Sequence, residues 1–381
     1  MKRIPLYIHI PFCRSKCSYC AFYSCMDHSE NLEKEFLRQL FLQITSYMKK
    51  SGSDYIKTTY IGGGTPSMLS HSHLRDLFDF LNPFIDAEVQ EFTMECNPED
   101  VSIELISLLS ESPVNRISLG VQSFDPYVLQ KSGRESRPGV IENAISIIKE
   151  HWKGRFSIDI ITGLPGQTLD GQKDDIEKAI SSGVDHISCY SLILEENTPL
   201  FDNQDIIPNE EDEDMMWSQS NEILINNGFS HYEVSNYSRT GYESRHNMQY
   251  WKMNEYIGCG PGAVSMIYDG GVIRISNPQD VSDFSEGIVE KISPFDFLFE
   301  NYMMGLRTDA GIDRQEFFRR FGSYPEKLIK NTIELEKEDT FTISKTHFFL
   351  SDKSRLFMNS LLMKIYDELS LNTIDFEVNW P

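Results

Sequence analysis

Between residues 6 and 192, six short runs of β-branched and aromatic residues alternate with five longer amphipathic stretches, and this alternation limits the possible folds more than any other feature. The short runs read as strands at residues 6–10, 58–61, 91–95, 116–121, 157–161 and 186–192. Helical patterns occupy 31–50, 72–82, 102–110, 138–151 and 170–182. In the first of these, Leu32, Phe36, Leu40 and Ile44 recur at helical spacing and are expected to face the core. Parallel strands need long crossover connections, and helices supply them. The expected fold class is therefore α/β, a parallel sheet of six βα units curled into a partial barrel. In such sheets reactive groups collect at the C-terminal strand ends. The unusual residues fall there: Cys13 onward after the first strand, residues 62–66 after the second, Glu95 closing the third and Gln122 after the fourth. The fifth runs into Gly163-Leu164-Pro165-Gly166.

Past this core, a helix near 212–227 and a strand near 232–235 extend the pattern. A Gly-rich segment with His and aromatic residues covers roughly 236–265. From about residue 293 the character changes to helices at 297–306 and 314–321, a hairpin at 340–350 and a helix at 355–369. That order suggests a small winged-helix-like α+β domain. The expected division is a core at 1–235, a connecting segment at 236–293 and a C-terminal domain at 294–381.

Charge removes one class of partner. With 58 acidic against 35 basic residues, the net charge of −23 repels phosphate backbones. Residues 294–381 carry 11 Lys and Arg against 15 Asp and Glu, so a winged helix here is not expected to bind DNA. The densest acidic run, 210–214, opens a helical stretch, where it complements the helix dipole. No apolar run approaches the roughly 20 residues of a membrane helix, and the N-terminus lacks a signal-peptide pattern. A cytoplasmic location is expected.

Seven cysteines, an odd number in a chain not expected to be exported, point to metal or redox chemistry rather than a disulfide framework. Cys13, Cys17 and Cys20 lie in one loop directly after a strand. Three thiolates so spaced can wrap one face of an iron–sulfur cubane, leaving one iron open. Two other readings compete. Cys25 could complete a four-cysteine zinc site, although zinc cysteines normally come as two separated pairs. Inert core thiols are the other, which suits Cys96, Cys189 and Cys259 in their apolar or Gly-rich surroundings.

The loop has a recognisable frame: Tyr7-Ile8-His9-Ile10-Pro11-Phe12-Cys13, then Cys17 and Tyr19-Cys20. Gly62-Gly63-Gly64-Thr65-Pro66-Ser67, Glu95-Cys96-Asn97-Pro98-Glu99 and Ser118-Leu119-Gly120-Val121-Gln122-Ser123-Phe124 follow in order. Asp159-Ile160-Ile161-Thr162-Gly163-Leu164-Pro165-Gly166-Gln167 and His246-Asn247-Met248-Gln249-Tyr250-Trp251 complete the set. Together these resemble the radical S-adenosylmethionine superfamily, in the branch that holds oxygen-independent coproporphyrinogen III oxidases and heme chaperones. The resemblance covers nearly the whole chain. It implies a [4Fe–4S] cluster on Cys13, Cys17 and Cys20, with S-adenosylmethionine chelating the open iron. It further implies that Tyr7, Gly63, Gly64, Thr65, Glu95, Gln122, Arg134 and Asp159 bind S-adenosylmethionine. The residue types suit that task. Glycines let a backbone approach closely, Thr65 adds a hydroxyl, Glu95 and Asp159 accept hydrogen bonds, and Gln122 and Arg134 donate them. Taken singly, each also fits a structural polar role, and Tyr7 fits the core.

Two functions remain open within that branch. One is an enzyme that decarboxylates coproporphyrinogen III by radical chemistry. The other is a chaperone that binds heme and delivers it to acceptor hemoproteins, some of them membrane-bound and met by peripheral contact. The oxidases carry a further cysteine two residues after the last cluster ligand, where this chain has Phe22. They also carry a substantial segment before the first strand, whereas Cys13 lies close to the start here. The third discriminator is His246-Asn247-x-x-Tyr250-Trp251, which resembles the heme-binding signature of the chaperones. His246 would ligate iron while Tyr250 and Trp251 stack on the porphyrin; a core histidine among packed aromatics is the alternative. These features favour the chaperone.

Overall fold

The computed structural model describes residues 1–134, 137–337, 339–355, 357–371 and 378–379. Strands β1 (Arg3–Ile10), β2 (Tyr55–Gly63), β3 (Glu91–Cys96), β4 (Arg116–Gln122), β5 (Arg155–Thr162) and β6 (His186–Ser191) lie side by side in chain order, every neighbouring pair parallel. Between them run α1 (Glu30–Lys50), α2 (His71–Leu81), α3 (Ile103–Ser110), α4 (Pro126–Lys131), α5 (Val140–His151) and α6 (Leu169–Ser181). Ser70, Ser102 and Thr168 cap α2, α3 and α6 by accepting a hydrogen bond from a backbone N–H of the first turn. The expected α/β partial barrel is the fold observed.

Strand parity divides these side chains into two environments. In β1, Ile4, Leu6, Ile8 and Ile10 are at most 1% exposed and join the core shared with the helices, as do Phe92 and Met94 of β3 and Ile117 and Leu119 of β4. The alternate positions carry Tyr7 and His9 on β1, Thr58 and Tyr60 on β2, Glu91 and Glu95 on β3. Arg116 and Ser118 on β4, Ser157 and Asp159 on β5, and His186, Ser188 and Tyr190 on β6 continue the series. Because successive side chains of a strand alternate in direction, these positions share the inner face. The barrel interior is a polar layer enclosed by an apolar one.

The remaining elements extend both ends of this sheet. Helix α7 (Glu210–Asn226) opens with Glu210, Glu211, Asp212 and Glu213 in its first turn, capped by Asn209, which places the acidic run where the helix dipole favours it. Then β7 (Ser230–Glu233) and β8 (Asn236–Ser238) join antiparallel beside β6. After α8 (Asn247–Trp251), β9 (Ile257–Cys259) pairs parallel with β1 at the opposite edge, giving nine strands in one sheet among the described residues. The segment expected to be a connector thus supplies β8, one strand in from one edge of the core sheet, and β9 at the other edge. Strands β10 (Val264–Tyr268), β11 (Val272–Ser276) and β12 (Ile288–Ile292) follow as an antiparallel meander.

The C-terminal part contains α9 (Pro294–Gly305), β13 (Ile312–Asp313), α10 (Arg314–Phe321), α11 (Pro325–Leu328) and α12 (Lys330–Leu335). The hairpin β14 (Phe341–Ile343) and β15 (His347–Leu350), then α13 (Asp352–Arg355) and α14 (Met358–Leu371), complete it. Residue 356 of the expected last helix lies outside the described residues. Phe297, Leu298, Tyr302, Phe317, Phe348 and Ile365 form a second core that also takes in Met253, Met266 and Val272. This core therefore begins before residue 294.

Candidate functional site

Cys13, Cys17 and Cys20 leave the C-terminal end of β1 in a loop held by backbone bonds. The Cys13 N–H donates to Cys25 O (3.0 Å), the Cys25 N–H to Pro11 O (2.7 Å) and the Ser18 N–H to Ser132 O (3.0 Å). All three thiols are partly buried and line a cavity of ≈ 1490 Å³ over the barrel mouth. Burial pushes the Cys13 and Cys20 thiols up, while the Thr65 hydroxyl, 3.7 Å from Cys13 Sγ, opposes this at Cys13. Cys25 does not line the cavity; its thiol donates to Asp27 O at 3.2 Å, and its backbone closes the loop. Among the described residues no group of three His, Cys, Asp or Glu side chains is arranged to hold a single metal ion. Three soft thiol donors facing a roomy cavity fit a cluster, and these residues would hold it.

The S-adenosylmethionine candidates converge on the same cavity, which Gly63, Gly64, Thr65, Glu95, Gln122, Arg134 and Asp159 all line. Tyr7 is placed deeper, with its hydroxyl 3.1 Å from His9 Nδ1. The glycines serve the protein's own packing first. A Cβ on Gly63, where φ is +109°, would lie 2.6 Å from the His9 ring, and one on Gly64 would lie 2.7 Å from Phe12 O. Gln122 has φ +67° at a register irregularity between β4 and β5, and this bulge turns its side chain over the mouth. Arg134 donates to Asn97 Oδ1 and Gly120 O, and Arg14 pairs with Asp100 across the rim. Both carboxylate oxygens of Glu99, another lining residue, are buried without a protein partner.

Two acids face each other just below. Tyr60 Oη donates to Glu95 Oε1 (2.7 Å) and the Gly63 N–H to Glu95 Oε2 (3.2 Å). Ser118 Oγ contacts both Asp159 oxygens, at 3.1 and 3.0 Å. Burial, reinforced by the Asp159 charge, lifts the Glu95 carboxyl to about 7, and burial raises Asp159 as well. Glu95 therefore changes charge near neutrality. Tyr60 and Ser118 were missed in the sequence; strand parity, which places them on the inner face beside Glu95 and Asp159, was the available signal.

His246, Tyr250 and Trp251 lie elsewhere. They flank or form α8, under the N-terminal ends of the strands, and none of them lines the cavity. His246 is 0% exposed, with Nδ1 2.9 Å from Thr58 Oγ1 and Nε2 2.7 Å from Tyr250 Oη. Burial lowers its basicity to about 4, so the ring is neutral. Glu91, at the first position of β3, anchors the same turn. Its carboxylate accepts from the N–H groups of Arg245 (3.0 Å) and His246 (2.9 Å) and from Ser244 Oγ (3.2 Å), with Arg116 Nη1 at 3.4 Å. Arg307 approaches the Trp251 ring at 5.9 Å. Both imidazole nitrogens of the expected iron ligand are engaged within the protein, and the motif packs as a barrel floor. Residue 246 returns beneath β2 and β3, where Thr58 and Glu91 are its buried partners.

Comparison with known proteins places this geometry in context. The model of the radical SAM superfamily matches residues 7–179. The heme chaperone HemW of Bacillus subtilis is 32% identical over 95% of this chain and 99% of its own length. That of Lactococcus lactis is 34% identical over 97% and 98%, and that of Escherichia coli 31% over 94% and 97%. Among solved structures, coproporphyrinogen III oxidase (HemN) from Escherichia coli superposes with a TM-score of 0.80 over 96% of this chain and 90% of that one, at 18% identity. This last likeness is one of fold.

Proposed function

The chain belongs to the HemW family within the radical SAM superfamily, and from that premise we propose that it is a heme chaperone, binding heme and passing it to acceptor hemoproteins. The observation that carries this reading is end-to-end similarity to chaperones at 31–34% identity, against a likeness in fold alone to the oxidase. Phe22, where the oxidases keep a thiol, supports it.

In this reading Cys13, Cys17 and Cys20 hold a [4Fe–4S] cluster. When bound, the cluster supplies a one-electron donor and an open iron for S-adenosylmethionine. Glu95 and Asp159 accept hydrogen bonds from the cofactor, and Gln122 and Arg134 donate to it. Thr65 and the 63–64 backbone line its path, with Tyr7 supporting the layer below. The rim has a mixed character suited to an amphipathic tetrapyrrole: Phe22 is 65% and Ile193 70% exposed, while Lys16 and Arg137 line the same cavity. The net charge of −23 disfavours heme propionates at long range, so affinity must come from short-range contacts and vary only modestly with salt.

Anaerobic reconstitution followed by parallel assays tests the proposal. The protein is expected to bind hemin, to transfer it to an apo-hemoprotein, and to leave coproporphyrinogen III unchanged. Turnover of coproporphyrinogen III to protoporphyrinogen IX would replace the chaperone reading with the oxidase one.

A further inference from the structure

We propose that His246 is a positioning residue for the barrel mouth: acting through Thr58 and Tyr60 of β2, it sets the Glu95 side chain that receives S-adenosylmethionine. This rests on the role given to Glu95 above and does not depend on the chain carrying heme.

Three contacts join the barrel floor to the mouth. His246 Nδ1 meets Thr58 Oγ1 at 2.9 Å, and the imidazole lies against the Tyr60 ring with centroids 5.6 Å apart and planes tilted by 36°. Tyr60 Oη then donates to Glu95 Oε1 at 2.7 Å. Thr58 and Tyr60 are two positions apart on one strand, so both point inward and His246 touches both. Tyr60 also meets the Tyr7 ring at 6.3 Å, so the phenol packs against both Tyr7 and His246.

The imidazole is itself fixed. Its Nε2 is 2.7 Å from Tyr250 Oη, its backbone N–H donates to Glu91 at 2.9 Å, and Tyr250 packs edge-on against Tyr256 at 4.6 Å. Removing the ring opens a void beside Tyr60 and unties Thr58, so the phenol gains freedom and Glu95 loses a well-aligned donor. Iron ligation would require His246 to give up one of these bonds, whereas positioning uses both.

The readout is S-adenosylmethionine binding to cluster-loaded protein, with rescue by a conservative variant. His246→Ala is expected to weaken binding about tenfold, the scale of one hydrogen bond to a charged group. Thr58→Val should act in the same direction and carries the test should His246→Ala fail to fold. His246→Asn, whose amide can replace Nδ1 against Thr58 but leaves the ring's place beside Tyr60 unfilled, should recover part of the lost affinity. With hemin, His246→Ala should give the wild-type Soret band. Unchanged affinity in both His246→Ala and Thr58→Val overturns the proposal, as does a shifted Soret band with unchanged S-adenosylmethionine binding, which would assign His246 to the iron. A wild-type protein that takes no hemin removes the chaperone reading and leaves the S-adenosylmethionine titration to decide this one.

Discussion

Replacing Glu91 by Ala should be among the most destabilising single changes available in this protein, although the residue lies at the opposite end of the barrel from the cavity. Glu91 is 1% and Arg116 3% exposed. Burial alone would raise the Glu91 carboxyl, but Arg116 and the N–H groups of His246 and Arg245 outweigh it, and the net shift is downward. The carboxylate is thus ionised and fully engaged. Truncation strips Arg116 of its anion, which costs about 3–5 kcal/mol when one partner of a buried pair is removed. It also frees two backbone N–H groups and the Ser244 hydroxyl, although the cavity left by the side chain can admit water to them. A loss of about 4 kcal/mol is a large share of the roughly 5–15 kcal/mol that holds a folded domain together. Equilibrium urea denaturation followed by far-UV circular dichroism measures it. Glu91→Gln/Arg116→Met removes both charges while retaining an acceptor, and it should be less destabilised than Glu91→Ala. A loss below about 1 kcal/mol in Glu91→Ala, or a double variant worse than the single one, would refute the premise that the cost comes from an orphaned charge.

Other outcomes follow from the same geometry. Reconstituted protein should hold about four irons per chain, lost on Cys13→Ala, Cys17→Ala or Cys20→Ala and kept on Cys25→Ala, as iron analysis and visible absorption will read. Gly63→Ala forces a Cβ to 2.6 Å from the His9 ring at φ +109°, so it should lower stability by about 1–3 kcal/mol and weaken S-adenosylmethionine binding, measured by thermal melting and calorimetry. His246 titrates at about 4 in the fold against 6.5 in an unfolded chain. A depressed value means its contribution is fully present above pH 6.5 and lost as pH falls through 4, amounting to about 3 kcal/mol. Stability curves between pH 7 and 4 should therefore flatten in His246→Asn.

Much of this molecule is legible along the chain. The six strand–helix units, the thiol loop after β1 and the glycines after β2 follow from local pattern, because strand propensity, helix periodicity and turn chemistry act over a few residues. The acidic opening of α7 is equally local. Gly63 and Gly64 were visible as necessary but not for the reason found: the His9 ring and the Phe12 carbonyl that demand them belong to β1 and the loop that follows it. Cys25 shows the same limit, since only the loop's closure on Pro11 and Cys13 reveals it as a backbone clasp.

Tertiary structure alone decided where His246 went. Its residue type and its aromatic companions suit an iron ligand, and no local rule distinguishes that from a floor. The outcome was set by β3 presenting Glu91 at its first position and β2 presenting Thr58 inward, so that a segment some 155 residues downstream of Glu91 found a complete set of partners there. Likewise the polar interior that joins Tyr60, Glu95, Ser118 and Asp159 is written in strand parity but becomes one layer only when six strands pair in register. Local sequence determines which elements form and which chemistry they carry. Which of those groups meet depends on pairing between distant strands, and that follows from how the whole chain buries its apolar face.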